Sequence, residues 1–144
     1  MAIKNQVKMS IQSLSENVGI ARITAAAFAA QLDFTLNEIE EIKVAVSEAI
    51  SNSVIHAYCG QPDGMIDFIM NLYDDKIEYI VSDAGKGIAD IHLARQPSYS
   101  TDPERMGLGF VFMESFMDEL DILSEPNQGT TVKMAKKLQS NDVH

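Results

Sequence analysis

Met65-Ile66-Asp67-Phe68-Ile69-Met70-Asn71-Leu72-Tyr73 and Lys76-Ile77-Glu78-Tyr79-Ile80-Val81-Ser82-Asp83 are two β-rich runs separated only by Asp74-Asp75. An acidic pair between runs of branched and aromatic residues reads as the turn of a β-hairpin. The first run is apolar almost throughout, which predicts burial on both faces. Upstream, two helical patterns follow one another. Ser13-Leu14-Ser15-Glu16 has the form of a capping box and opens a helix to about Gln31, rich in Ala with Ile20, Ile23 and Phe28. Thr35-Leu36-Asn37-Glu38 is a second capping box. It opens a helix carrying Ile39, Ile42, Val46, Ile50 and Val54 at spacings of three and four, to about Tyr58. Ahead of both, Val7, Met9 and Ile11 alternate within residues 4–12, a strand pattern. Downstream, residues 85–107 show no clear periodicity and contain Pro97 and Pro103. A loop of that length in a compact domain is usually functional, a lid for example. A short helix from Gly109 to about Met117 follows, then strands over 119–124 and 130–138 around Pro126-Asn127-Gln128-Gly129. Helices and hairpins are thus segregated, and the expected fold is a two-layer α+β sandwich, not a doubly wound parallel sheet.

Composition bounds the function. A chain of 144 residues fits a single domain spanning 1–144. With 46% apolar and 22% charged residues it has the makeup of a globular protein with one core, filled by aliphatics and eight Met because Trp is absent. Eleven Lys plus Arg against 21 Asp plus Glu give a net charge of −10. Such a surface repels phosphate backbones and anionic lipid, so the expectation is no direct nucleic acid, no membrane, and a cation-rich protein partner. The single cysteine, Cys59, excludes a disulfide framework and a Cys-rich zinc site. Met1-Ala2-Ile3-Lys4-Asn5-Gln6 has no apolar h-region, and a cytoplasmic protein is expected.

Three features carry chemistry. Four of the eight glycines form the pairs Gly85/Gly87 and Gly107/Gly109, one at a strand end, the other opening a helix. The ordinary reading of a glycine is a turn that needs positive φ. A helix start preceded by glycines also offers free N–H groups to an anion, and Arg105 beside it could add positive charge. Glu48-Ala-Ile-Ser-Asn52-Ser-Val-Ile-His56 places Glu48, Asn52 and His56 on one side of a helix. That is either a solvated polar edge or a general base with an oxygen ligand for a hard cation; His56 reads as a packing or capping residue. In Asp83-Ala-Gly85-Lys-Gly87, an Asp at a strand end is a turn former or an acceptor for an exocyclic amine.

In order, Glu48-x-x-x-Asn52, Asp83-x-Gly85-x-Gly87, Gly107-x-Gly109 and Gly129-Thr130 resemble the motif set of the Bergerat-fold (GHKL) ATPases, which include gyrase-type ATPases, histidine-kinase catalytic domains and mismatch-repair ATPases. Within that superfamily the chain is similar to the anti-sigma serine kinases of spore-forming bacteria, through residues 21–28, 46–52 and 107–118. Three positions depart from the pattern: Ala57 follows His56 where Gly is usual, the lid is shorter, and Met106 precedes Gly107. The resemblance implies a Bergerat ATP-binding fold with a mobile lid, ATP or ADP as nucleotide, and Mg²⁺. It implies that Asp83 bonds the adenine amino group, that Thr130 supports the adenine through water, and that Asn52 holds the metal. Gly85 and Gly87 would let the backbone approach the nucleotide. Gly107 and Gly109 would wrap the phosphates with Arg105 near the last of them. Glu48 would be the catalytic base toward a substrate serine, and Arg22 would dock protein partners. Those partners would be a sporulation sigma factor of the F type and an anti-anti-sigma factor as protein substrate, with the chain a homodimer. The alternative is an anti-sigma module that binds nucleotide without transferring phosphate. A two-component catalytic domain is disfavoured, since no dimerisation helix with a phospho-acceptor histidine precedes the motifs.

Overall fold

The computed structural model describes residues 2–95 and 106–139. The element order is β1 (Asn5–Gln12), α1 (Glu16–Ala29), α2 (Leu36–Asn52) continuing into a π turn (Ser53–Ala57), β2 (Met65–Leu72), β3 (Lys76–Asp83), α3 (Ile91–Ala94), α4 (Met106–Phe116), β4 (Glu119–Glu125) and β5 (Gly129–Lys137). Among the described residues the strands form one antiparallel sheet in the order β1-β2-β3-β5-β4. The helices pack on the sheet face that carries Phe68, Met70, Tyr79, Val81, Val132 and Met134, and one core cluster joins these to Ile42, Val46 and Ile50 of α2 and to Phe110 and Met113 of α4. This is the expected two-layer α+β sandwich.

The second capping box forms as read. Thr35 Oγ1 accepts from the Glu38 amide, and the Glu38 carboxylate accepts from the Thr35 amide. The first does not. Ser15 at the N-cap has helical backbone angles and makes no side-chain cap bond, while Ser13 Oγ donates to the Gln61 carbonyl. The hydroxyl that could have capped α1 holds the loop before β2 instead. Helix α1 stops at Ala29, not Gln31: the Gln31 and Leu32 amides turn to the Phe28 and Ala29 carbonyls three residues back, and the Gln31 side chain also donates to the Phe28 carbonyl at 2.8 Å. Strand β2 is buried on both faces only at its end. Met65 and Asp67 are exposed while Ile66, Phe68, Met70, Asn71 and Leu72 are buried, so most of the strand alternates. The expected lid contains a short helix, α3, capped by the Asp90 carboxylate on the Leu93 amide. Helix α4 begins at Met106 rather than Gly109, so both glycines of the second pair lie in its first turn. Two glycines disfavour a helix by about 1 kcal/mol each, and burying Phe110 and Met113 outweighs that.

Candidate nucleotide site

The site is built where the end of α2, the end of β3, the start of β5 and the start of α4 meet. Helix α2 presents Ile42, Ala45, Val46, Ala49 and Ile50 to the core. That fixes its rotation and turns Glu48 and Asn52, one helical turn apart, toward α4. A Cβ added at Gly109 would stand 2.9 Å from Glu48 Oε1 and 3.6 Å from both amide atoms of Asn52. The two polar side chains therefore converge on the first turn of α4, and Gly109 leaves the room they need. The first amides of that turn have no intrahelical acceptor, which makes it an anion-binding end. Asn52 Nδ2 is buried and finds no hydrogen-bond partner among the described residues.

Asp83 closes β3 opposite Thr130, the second residue of β5. Its Oδ1 accepts from the Gly85 amide at 3.0 Å and the Thr130 amide at 3.2 Å, and its Oδ2 accepts from Ser53 Oγ at 2.8 Å. A carboxylate has about four acceptor positions, so one remains on Oδ2. Asp83, Asn52, Ser53, His56, Gly87, Ile88, Phe110, Thr130 and Val132 line a narrow cleft with a free volume of about 20 Å³, so a bound base would have to part its walls. Its walls are mostly apolar, with polar groups converging at one end, the usual form of a small-molecule site. Thr130 Oγ1 shares a hydrogen bond with Ser124 Oγ at 2.7 Å, fixing the hydroxyl at the floor.

The structure thus brings Glu48, Asn52, Asp83, Gly85, Gly87, Gly107, Gly109 and Thr130 around one region. Arg105 lies outside the described residues, as do residues 96–104 of the expected lid. Gly85 and Gly87 are required by the protein's own packing: a Cβ at Gly85 would overlap the Ala57 carbonyl, and Gly87 has φ +75° with the Glu125 carbonyl against it. Arg22 is half-buried rather than exposed. It lies with Glu40, Lys43, Val44, Ser47 and Glu48 along a groove between α1 and α2, its Nη1 3.4 Å from Ser47 Oγ. Sequence reasoning missed Ser53 and Tyr58. Ser53 follows Asn52 directly, and only the pairing of the helix end with Asp83 shows its use.

The sequence profile of the histidine kinase-like ATPase domain matches residues 11–136. An anti-sigma F factor from Halalkalibacterium halodurans is 46% identical over 138 residues, 94% of either chain. The chain belongs to the anti-sigma F branch of the histidine kinase-like ATPase family. An anti-sigma F factor from Pasteuria penetrans is 48% identical over 141 residues, covering 96% of this chain and 94% of that one. Among solved structures, the RsbU and RsbW domains of Rv1364c from Mycobacterium tuberculosis superpose with a TM-score of 0.66 at 19% identity, over 94% of this chain and 32% of that protein. The mycobacterial sensor histidine kinase MprB gives 0.59 at 14% identity, covering 90% and 97%. At those identities the two structures speak for the fold alone.

A nucleotide-binding domain is what this site must be measured against, and its residues fit. The cleft has an apolar wall for a flat base and a carboxylate with one acceptor to spare. Asn52 has an orphaned buried amide N–H donor, Nδ2, which a phosphate oxygen would accept from, while its Oδ1 is the oxygen that would hold Mg²⁺, an ion that takes few protein ligands and keeps phosphate oxygens and water. Among the described residues no helix is long and apolar enough to cross a membrane.

Proposed function

We propose that the chain is an anti-sigma factor that binds Mg·ATP, holds a sporulation sigma factor of the F type, and phosphorylates an anti-anti-sigma protein on serine. The observation that carries this is the convergence of Glu48 and Asn52 on the first turn of α4, beside the Asp83 cleft, in a chain so close to anti-sigma F factors. Asp83 would accept from the adenine amino group and Thr130 would support the base. Asn52 would hold Mg²⁺, which supplies charge neutralisation between phosphate oxygens. The amides of Gly107 and Gly109, with Arg105, would receive the terminal phosphates. The chemistry needs positioning and charge stabilisation more than covalent help. In that arrangement the substrate serine oxygen would attack the γ-phosphorus, Glu48 would take its proton, and ADP would be the leaving group.

Arg22 supports the protein-substrate part of this reading, because its groove also contains Glu48. A partner anchored on Arg22 would present its serine beside the base. One docking surface for both partners would let the anti-anti-sigma protein displace the sigma factor. The chain would act as one domain over 1–144, in the cytoplasm, as a homodimer. The decisive experiment incubates the protein with γ-labelled ATP and the anti-anti-sigma partner. Phosphoserine on the partner is expected; nucleotide binding with no transfer would leave a nucleotide-dependent anti-sigma module. Arg22→Ala should weaken both partners by about 2 kcal/mol, the scale of an interface hot spot, with ATP affinity unchanged. Pull-downs and a nucleotide titration on the same variant check it, and normal partner binding would return Arg22 to a packing role.

A further inference from the structure

The segment Asp83-Ala84-Gly85-Lys86 is stitched at three of its four residues to the π turn that follows α2 and to Tyr58 just after it. Ser53 Oγ donates to Asp83 Oδ2 at 2.8 Å, the Ala84 amide donates to the Tyr58 hydroxyl at 2.8 Å, and the Lys86 amide donates to the Ala57 carbonyl at 3.1 Å. The middle stitch is unusual in its second half. The Tyr58 hydroxyl also donates to the Met65 carbonyl at 2.7 Å. Strand β2 pairs with β3 up to Ile66 opposite Asp83, so Met65 and Ala84 are the next positions in the register. The phenol oxygen sits between them, accepting from one and donating to the other. It takes the place of the next rung of the ladder and holds the two chains apart at the point where β3 ends.

The phenol ring has little freedom to do otherwise. A Cβ at Gly64 would stand 2.6 Å from ring carbons of Tyr58, so the ring lies against bare backbone. The Gly64 loop is itself tied down, with the Ser13 amide donating to the Gly64 carbonyl at 2.9 Å and the Gln12 side chain to the Pro62 carbonyl at 3.3 Å. The backbone just before Tyr58 is the π turn, closed by the Tyr58 amide on the Ser53 carbonyl at 3.1 Å, and such turns concentrate at functional sites.

We propose that Tyr58 is a positioning residue for purine recognition. By standing in for the missing rung it turns the chain out of β3 at Ala84. That turn brings the Gly85 amide back onto Asp83 Oδ1 and leaves the unused lone pair of Oδ2 aimed into the cleft. The inference rests on the nucleotide reading above and deepens it: the 6-amino group of the base is selected through Asp83, and Tyr58 sets the aim. Tyr58 itself touches no part of the nucleotide.

The test is Tyr58→Phe in the full chain, which keeps the ring against Gly64 and removes only the oxygen. The lost bonds lie near solvent, so the melting temperature should stay within a few degrees of the parent. Affinities for Mg·ATP and for Mg·ITP, which carries a 6-oxo group in place of the amine, are measured by calorimetry. A misaimed bond to a charged acceptor should cut the ATP-over-ITP preference about tenfold, with ITP affinity nearly unchanged. In an Asp83→Ala background the same change should leave the preference where it is, because the two residues act as a unit. A variant that keeps the parent preference, or loses ATP and ITP affinity alike, overturns the proposal while the nucleotide reading stands. A parent that binds neither nucleotide overturns both.

Discussion

At the scale of single residues, Asn52 and Glu48 can be told apart by what their loss should do. An unpaired buried amide costs about 1–3 kcal/mol, and Asn52 Nδ2 is such a group in the unliganded fold. Asn52→Ala would remove the proposed metal ligand together with that penalty. Its stability without nucleotide should therefore stay within about 1 kcal/mol of the parent. Its Mg·ATP affinity should be lost, and calorimetry with unchanged affinity would sink the assignment. Glu48→Gln keeps the shape and removes the basicity. A general base contributes about 10²–10⁴-fold, so serine phosphorylation should fall by that factor with nucleotide binding retained. Phosphorylation at the parent rate would make Glu48 a polar edge. Asp83 shows why residue types alone leave such roles open. As a turn former it bonds the Gly85 amide, and it also lines the cleft with an acceptor position to spare, so the turn role leaves room for the proposed recognition role.

At the scale of elements, α4 is the part whose position matters most for the proposed chemistry. Gly109→Ala separates helix stability from function. Alanine is the better helix former by about 1 kcal/mol, and the atom it meets, Glu48 Oε1, is the far end of a flexible side chain. The variant should melt at or above the parent temperature yet transfer phosphate more slowly, since the carboxylate has been pushed aside. Thermal melts beside single-turnover rates decide it, and an unchanged rate would remove Gly109 from the site. Elements with one strong local signal were legible in the sequence. The Thr35 capping box and the spacing of Ile42, Val46 and Ile50 give α2, and with it the directions of Glu48 and Asn52. Ser13-Leu14-Ser15-Glu16 carries the same local signal and fails, because Ser13 has a better use 48 residues away, on the Gln61 carbonyl. The Ser53–Asp83 and Tyr58–Ala84 bonds are likewise contacts between distant segments, which periodicity and spacing do not encode.

At the scale of the whole molecule, the helical layer must be fastened to the sheet, and Tyr79 does this from the middle of β3. Its ring stacks on Phe68 with centroids 6.1 Å apart, and its hydroxyl donates to the Ala25 carbonyl of α1 at 2.7 Å. Burial pushes the Tyr79 phenol far above its ordinary value of 10.0, because a phenolate there would lose its water. The sign follows from linkage. The folded state keeps the proton where the unfolded state releases it, so the contribution is intact below pH 10.0 and is lost as pH rises beyond it. The loss runs at about 1.4 kcal/mol per pH unit for one such group. Tyr79→Phe gives up the Ala25 bond, about 1 kcal/mol at neutral pH, but has no proton to release. Parent and variant should therefore differ by a constant amount up to about pH 9.5, converge above pH 10, and cross near pH 11. Urea unfolding of both proteins from pH 8 to pH 11 reads the difference directly, and contributions from lysines and other tyrosines cancel in the subtraction. A difference that stays constant through pH 11 would mean that the phenol ionises in the folded protein as readily as in the unfolded chain, and that the layers are not sealed against water at this point.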